Sequence, residues 1–237
     1  MTPILETKSL SKSFGGAKVI NGIDFQINEG ETRCVIGPNG AGKSTFFKLL
    51  IGEHHPTAGS VHFQGRDISN VLPFRRVGLG MSIKFQVPGI FPDLTVLEHL
   101  KLVLHRVVPT REVSSETERM LHMFNLVSES HVKAGNLSHG KKQWLEISMA
   151  VALRPKLLLL DEPVAGLSTE ETQHTGELVN RLKGEGLTIM VVEHDMEFVR
   201  QVGTQVTVLH GGKVFADGPL KEVLEREDVA EIYLGKR

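Results

Sequence analysis

The chain has 237 residues, with 27 Lys plus Arg against 28 Asp plus Glu, and one cysteine. A net charge near zero argues against a general nucleic-acid surface and against an acidic disordered tail. The lone Cys34 lies in an apolar run, which fits a small core residue in a cytosolic protein without disulfides. The opening MTPILETKSL lacks the basic start and apolar run of a signal peptide. No apolar stretch nears the roughly 20 residues that span a bilayer, so the protein is not expected to cross a membrane itself.

Residues 1–35 read as β-rich: LETKSLSKSF, a Gly15-Gly16 turn, VINGIDFQI and EGETRCVIG. From Gly37 the hydrophobic period changes. Phe46, Phe47, Leu49, Leu50 and Ile51 predict a helix that stops near Gly52. Residues 94–153 read as mostly helical, through LTVLEHLKLVLHRV, SSETERMLHMF and KKQWLEISMAVAL. Strands and helices then alternate. KLLLLDEP and LTIMVVEHD are short apolar runs suited to a buried parallel sheet. QVTVLHGGKVFADG predicts a hairpin around Gly211-Gly212, and a terminal helix follows. The expected fold is α/β, a core of residues 1–87 and 154–237 with a helical insert at about 88–153. There is no internal repeat and no sustained heptad pattern.

GPNGAGKST, Gly37 to Thr45, fills G-x-x-x-x-G-K-[ST], with the apolar strand RCVI before it and a helix after it. Gly37, Gly40 and Gly42 let the backbone wrap tightly, with Pro38, Asn39 and Ala41 completing the loop, so that successive N–H groups point at phosphate oxygens. The helix adds its positive N-terminal end. Lys43 is expected to reach β- and γ-phosphates, and Ser44 to bind Mg²⁺ with support from Thr45. LLLLDEP ends a buried strand in two carboxylates. Asp161 is expected to hold Mg²⁺ through water and Glu162 to polarise an attacking water as general base.

Three single residues join this chemistry. His194 follows another apolar strand, at the sheet edge where ligand is expected. Gln86 ends a strand reading before a Pro/Gly-rich connection. Phe14, before a Gly-Gly turn, reads either as an adenine-stacking ring or as simple packing. A second helix start, LSHGKKQW, has Ser138 as its cap, Gly140 for close backbone approach, and basic residues suited to an anion. The histidines include no zinc-like spacing with Cys or carboxylates.

The order and spacing of GPNGAGKST, Gln86, LSHGK, LLLLDEP and His194 resemble ABC-type ATPase domains over nearly the whole chain. The resemblance implies a P-loop NTPase (RecA-like) core, an N-terminal antiparallel β subdomain and an inserted α-helical subdomain. It implies ATP and Mg²⁺ as ligands, with Gln86 sensing the γ-phosphate and the metal. In that family two domains face each other head to tail. Each ATP is clamped between one phosphate loop and the partner's signature helix. Ser138, His139 and Gly140 are therefore expected to serve the ATP of a second subunit, identical or closely homologous. The signature departs from LSGGQ: His139 replaces a Gly and Lys141 the Gln, which adds positive charge. Ser168 stands where an Asp is frequent. Lys43, Asp161, Glu162 and His194 all remain, so an active ATPase is expected.

Finer segments, LSHGKKQWLEI, DEPVAGLS, VVEHDMEFVRQV and VAEIYLGKR, resemble ATPase subunits of importers for urea and branched-chain amino acids. SHG, QWLEI and HDMEFVR favour the urea type. That resemblance implies transmembrane permease partners, a periplasmic or extracellular solute-binding protein, and a cytoplasmic location on the inner face of the membrane. No nucleic-acid partner is implied. Ile90, Phe91, Leu94 and Val96 either line a groove for a permease helix or pack in the core. Other readings are a lipid or lipopolysaccharide exporter ATPase, an iron–sulfur assembly ATPase, and a P-loop kinase, in which LSHGK would have no role.

Overall fold

The computed structural model describes residues 3–84 and 89–234, and its strands sort into two sheets. Strands β1 (Leu5–Phe14) and β2 (Ala17–Ile27) pair antiparallel across the Gly15-Gly16 turn. With β4 (Ala58–Phe63) and β5 (Arg66–Asp67) they form a sheet of order β2-β1-β4-β5. The second sheet contains β3 (Thr32–Ile36), β6 (Met81–Lys84), β7 (Leu157–Asp161), β8 (Thr188–Val192), β9 (Gln205–His210) and β10 (Lys213–Pro219). Its order is β10-β9-β3-β8-β7-β6, parallel from β6 to β9, with β10 antiparallel as the second arm of the expected hairpin. Strands β3, β7 and β8 are buried at every residue, as continuous apolar runs in a parallel sheet should be.

Helix α1 (Lys43–Ile51) ends where the sequence predicts, with Gly52 in the left-handed region donating its N–H to the Leu49 carbonyl. Between β6 and β7 lie α3 (Val96–Leu104), α4 (Val113–Met123) and α5 (His139–Ala152). Thr95 and Glu98 form a capping box for α3, and the apolar faces of all three helices join the core that fills one side of the parallel sheet. The alternating second half adds α6 (Thr169–Gly184), α7 (Met196–Val202), α8 (Leu220–Leu224) and α9 (Glu227–Leu234).

The sequence patterns predict no element between Gly52 and the strand that ends near Gln86. That stretch holds β4, β5 and the short helix α2 (Pro73–Gly78). Their signal is weak because β4 opens on Ala-Gly-Ser and α2 is barely more than one turn. Tertiary contacts form them instead. Arg76 of α2 is fully buried and donates to the carbonyls of Ile68, Val71, Leu49 and Leu50. Two of these belong to the last turn of α1, whose carbonyls lack intrahelical partners. Burial lowers the Arg76 pKa to about 10, so the group stays charged at neutral pH. Arg76→Met should therefore cost about 3–5 kcal/mol of stability, because buried carbonyls lose a charged donor. A denaturant midpoint equal to that of the wild type would contradict this.

The parallel strands align their C-terminal ends. Ile36, Lys84, Asp161 and Val192 end β3, β6, β7 and β8 along one edge, where open α/β sheets bind ligands.

Candidate active site

The phosphate-loop motif leaves that edge after Ile36 and enters α1. Gly42 is the N-cap at φ +101°, and no side chain caps the helix. A Cβ on Gly42 would lie 2.8 Å from the Ile20 side chain and 3.1 Å from the Val19 carbonyl, so both φ and space demand glycine. The β9–β10 turn braces the loop: Gly212 donates its N–H to the Ala41 carbonyl (3.1 Å) and accepts from the Asn21 N–H (2.8 Å). Asn39, Gly40 and Ser44 are exposed and Thr45 is half-buried. Lys43 folds back over the loop and donates to the carbonyls of Gly37 (2.7 Å) and Pro38 (3.1 Å). Burial pulls its pKa down, opposed first by the charge of Glu162 and then by that of Asp161.

The two carboxylates sit on different kinds of backbone. Asp161 is the last residue of β7 and is buried. Burial first, and the charge of Glu162 second, push its pKa up to about 6. Glu162 adopts φ +44°, a conformation rare for a side-chain-bearing residue and frequent at working sites. Its N–H donates to the Val192 carbonyl at 2.9 Å. Lys84 Nζ donates to the carbonyls of Asp161 (3.2 Å) and Glu162 (3.4 Å). His194 is exposed, with Nδ1 3.7 Å from Glu162 Oε1 and 3.4 Å from Glu193 Oε2. The sheet edge thus brings Lys43, Asp161, Glu162 and His194 together as the sequence predicts.

The sequence motifs do not single out Glu193. It is fully buried, and its carboxylate accepts from the N–H groups of Val164 (3.3 Å), His194 (2.7 Å) and Asp195 (3.1 Å). It joins the turn after β7 to the turn after β8. The available signal is a carboxylate between an apolar strand and His194.

The second helix start also forms. Ser138 caps α5 by accepting from the Lys141 N–H at 3.3 Å. Ser138 and His139 are exposed. Gly140 is buried, and a Cβ there would collide with the Glu171 carboxylate, so its smallness already serves contacts within the chain. His139 Nε2 lies 3.0 Å from the Ala165 carbonyl, which makes that nitrogen the donor. Lys141 turns inward, with Nζ donating to the Asn125 carbonyl (2.6 Å), 3.5 Å from Glu129 and over the Trp144 ring. Its charge is balanced within the chain rather than added to a ligand-facing surface. Ser168 caps α6 in a capping box with Glu171.

Phe14 is 43% exposed, edge-on to His54, with the Lys12 ammonium 5.0 Å from its ring centre. Gln86 lies outside the described residues. Of the four apolar residues after it, Val96 is core and Ile90 packs against the core, whereas Phe91 is 58% exposed.

A strand, a glycine loop and an uncapped helix, with carboxylates ending a strand of the same parallel sheet, define a P-loop nucleotide hydrolase. Residues 20–165 match the ABC transporter family. The high-affinity branched-chain amino acid transport ATP-binding protein BraF of Pseudomonas aeruginosa is 33% identical, over 99% of this chain and 98% of its own. The crystal structure of the ADP conformation of an ATP-binding cassette of an ABC transporter superposes with a TM-score of 0.87 at 29% identity, covering all of both chains. A dimeric cassette in a post-hydrolysis state, bound to ADP and phosphate, gives 0.80 at 26% identity over 91% of this chain and 98% of its own. The chain belongs to the ABC transporter family and is its ATP-binding, ATP-hydrolysing cassette.

Proposed function

We propose that this ATPase powers uptake of a small polar solute, of the branched-chain amino acid or urea type, through permease subunits on the cytoplasmic face of the membrane. The observation that carries this reading is the end-to-end similarity to a branched-chain amino acid transport ATPase. The segments SHG, QWLEI and HDMEFVR support the urea branch. Among the described residues no helix is long and apolar enough to cross a membrane, so the pathway belongs to partners.

The site's chemistry follows from its groups. ATP binds along the loop from Gly37 to Thr45, and Phe14 offers a ring face for the base. Lys43 exchanges its loop carbonyls for phosphate oxygens. The Ser44 hydroxyl and the Asp161 carboxylate form an all-oxygen donor set, with Gln86 as a third donor. The paired carboxylates favour a hard divalent cation, so Mg²⁺ fits. Bound there, it would neutralise charge on the phosphates. Glu162 takes a proton from water, and His194 orients the γ-phosphate from beside it. The exposed Ser138 and His139, with Gly140, meet the ATP of a second subunit. Closure around two ATP molecules and reopening after hydrolysis give a binding-energy difference that can do work on the permease.

Affinity capture from detergent-solubilised membranes tests the transport reading. Integral membrane subunits should co-purify, and their proteoliposomes should take up leucine or urea only with ATP. Recovery of soluble scaffold proteins alone would favour a non-transport role such as iron–sulfur assembly, and ATP-driven efflux of lipid would favour an exporter.

A further inference from the structure

We propose that Lys84 and Glu146 are positioning residues that tie the backbone of the Asp161–Glu162 pair to the α5 helix. The sequence motifs give neither a role, although Glu146 lies within the segment QWLEI. Lys84 ends β6 and is 1% exposed, and its ammonium holds the two carbonyls of Asp161 and Glu162. An ammonium has three donors, and these bonds use two of them. Helix α5 packs against β6 and turns Glu146 into the same interior. Glu146 Oε1 accepts from the Gly89 N–H at 2.5 Å. Among the described residues its Oε2 has no partner, and neither has Gln143 Oε1 one turn earlier on the buried face.

The electrostatics agree with this geometry. Among nearby charges, Glu146 contributes most to keeping the buried Lys84 charged, ahead of Asp161, Glu193 and Glu162. Lys84 is in turn the strongest opposing influence on Glu146 among charged side chains, ahead of His139. A buried lysine and glutamate with no ion pair between them among the described residues, the glutamate keeping one orphaned oxygen, stabilise a fold poorly, since apolar residues of equal volume do as well or better. Such local violations gather at working sites. The arrangement has an evident use. Helix α5 starts at Ser138, so a shift of that helix as it meets the partner's nucleotide moves Glu146. Glu146 carries Gly89 with it and changes the field on Lys84. Lys84 holds the carbonyl of Glu162, whose left-handed backbone aims the carboxylate. Docking at the seam and the aim of the base are thereby linked. The proposal rests on Glu162 acting as the base, which Glu162→Gln tests separately.

The test is steady-state ATP hydrolysis by the full-length chain, across ATP concentrations, for Lys84→Met, Glu146→Leu, the double variant and Lys84→Arg. Each apolar single should lower kcat at least tenfold with KM for ATP within about twofold, the signature of a group that acts after binding. The double variant should lose no more than the worse single, because the two act as one unit. Lys84→Arg should recover most of the rate while its thermal midpoint stays near that of the wild type. Losses that multiply in the double variant, KM rising in step with the fall in kcat, or wild-type kcat in both singles would each overturn the proposal. If a single variant fails to fold, Glu146→Gln, which keeps volume and the Gly89 bond, must show the same kcat loss. A wild-type kcat in Glu146→Gln would likewise overturn it.

Discussion

Glu162→Gln should lower ATP turnover by a factor of at least 10², a barrier increase of about 2.7 kcal/mol, while ATP binding is kept. The amide preserves side-chain length and the φ +44° backbone, whose N–H bond to Val192 involves no side-chain atom. What it removes is proton-accepting ability. It also removes a negative charge that would face the γ-phosphate, so ATP affinity should hold or tighten. With binding intact and hydrolysis blocked, the closed pair should accumulate. Phosphate release, equilibrium binding and gel filtration with and without ATP measure the three effects. Wild-type turnover would remove Glu162 from the role of base. A chain that binds ATP yet stays monomeric would count against the head-to-tail arrangement.

Ser138→Glu should abolish turnover in the homodimer, and mixing it with Lys43→Ala should restore part of the rate. Ser138 is exposed at the start of α5, so the longer acid fits without disturbing the core. Placed about 4 Å from a γ-phosphate oxygen, its carboxylate adds roughly 4 kcal/mol of repulsion per unit charge at an effective dielectric near 20. The variant's own phosphate loop is intact, so it should bind ATP as a monomer. Lys43→Ala fails differently. It loses a charge-assisted donor worth about 1.5–3 kcal/mol, roughly a 10- to 150-fold weakening of ATP binding. In the mixed dimer one site joins a sound loop from the first subunit to a sound α5 start from the second, and the other site carries both defects. Turnover in the mixture above the sum of the separate proteins is the expected result. No gain at any ratio would mean that both sites must fire together or that Ser138 does not serve the partner.

Much of this site is legible in the sequence. The phosphate loop announces itself because its backbone needs glycine at fixed places and lysine at another. Asp161 and His194 are legible because buried apolar runs must end at the sheet edge. The groups that orient these residues are not. Lys84 lies 77 positions from Asp161, and Arg76 lies 27 from Leu49; such pairings exist only once the sheet and helices have packed. Lys141 shows the same limit in reverse. Its charge suggests a ligand, but Asn125 and Glu129, supplied by the turn after α4, take it up. Glu193 reads in the sequence as a mere neighbour of His194, yet it organises both turns that flank the carboxylates.

The central claim is that each ATP lies between the phosphate loop of one chain and the α5 start of another. Cysteines at Asn39 and Ser138, both exposed, test it in the Glu162→Gln background. Native Cys34 can stay, because burial pushes its thiol up to about 12 and hides it from reagents. With ATP and a short bifunctional thiol reagent, the account predicts a covalent dimer, and a dimer also when each chain carries only one of the two cysteines. A link formed only within single chains, or no link with ATP present, would contradict it.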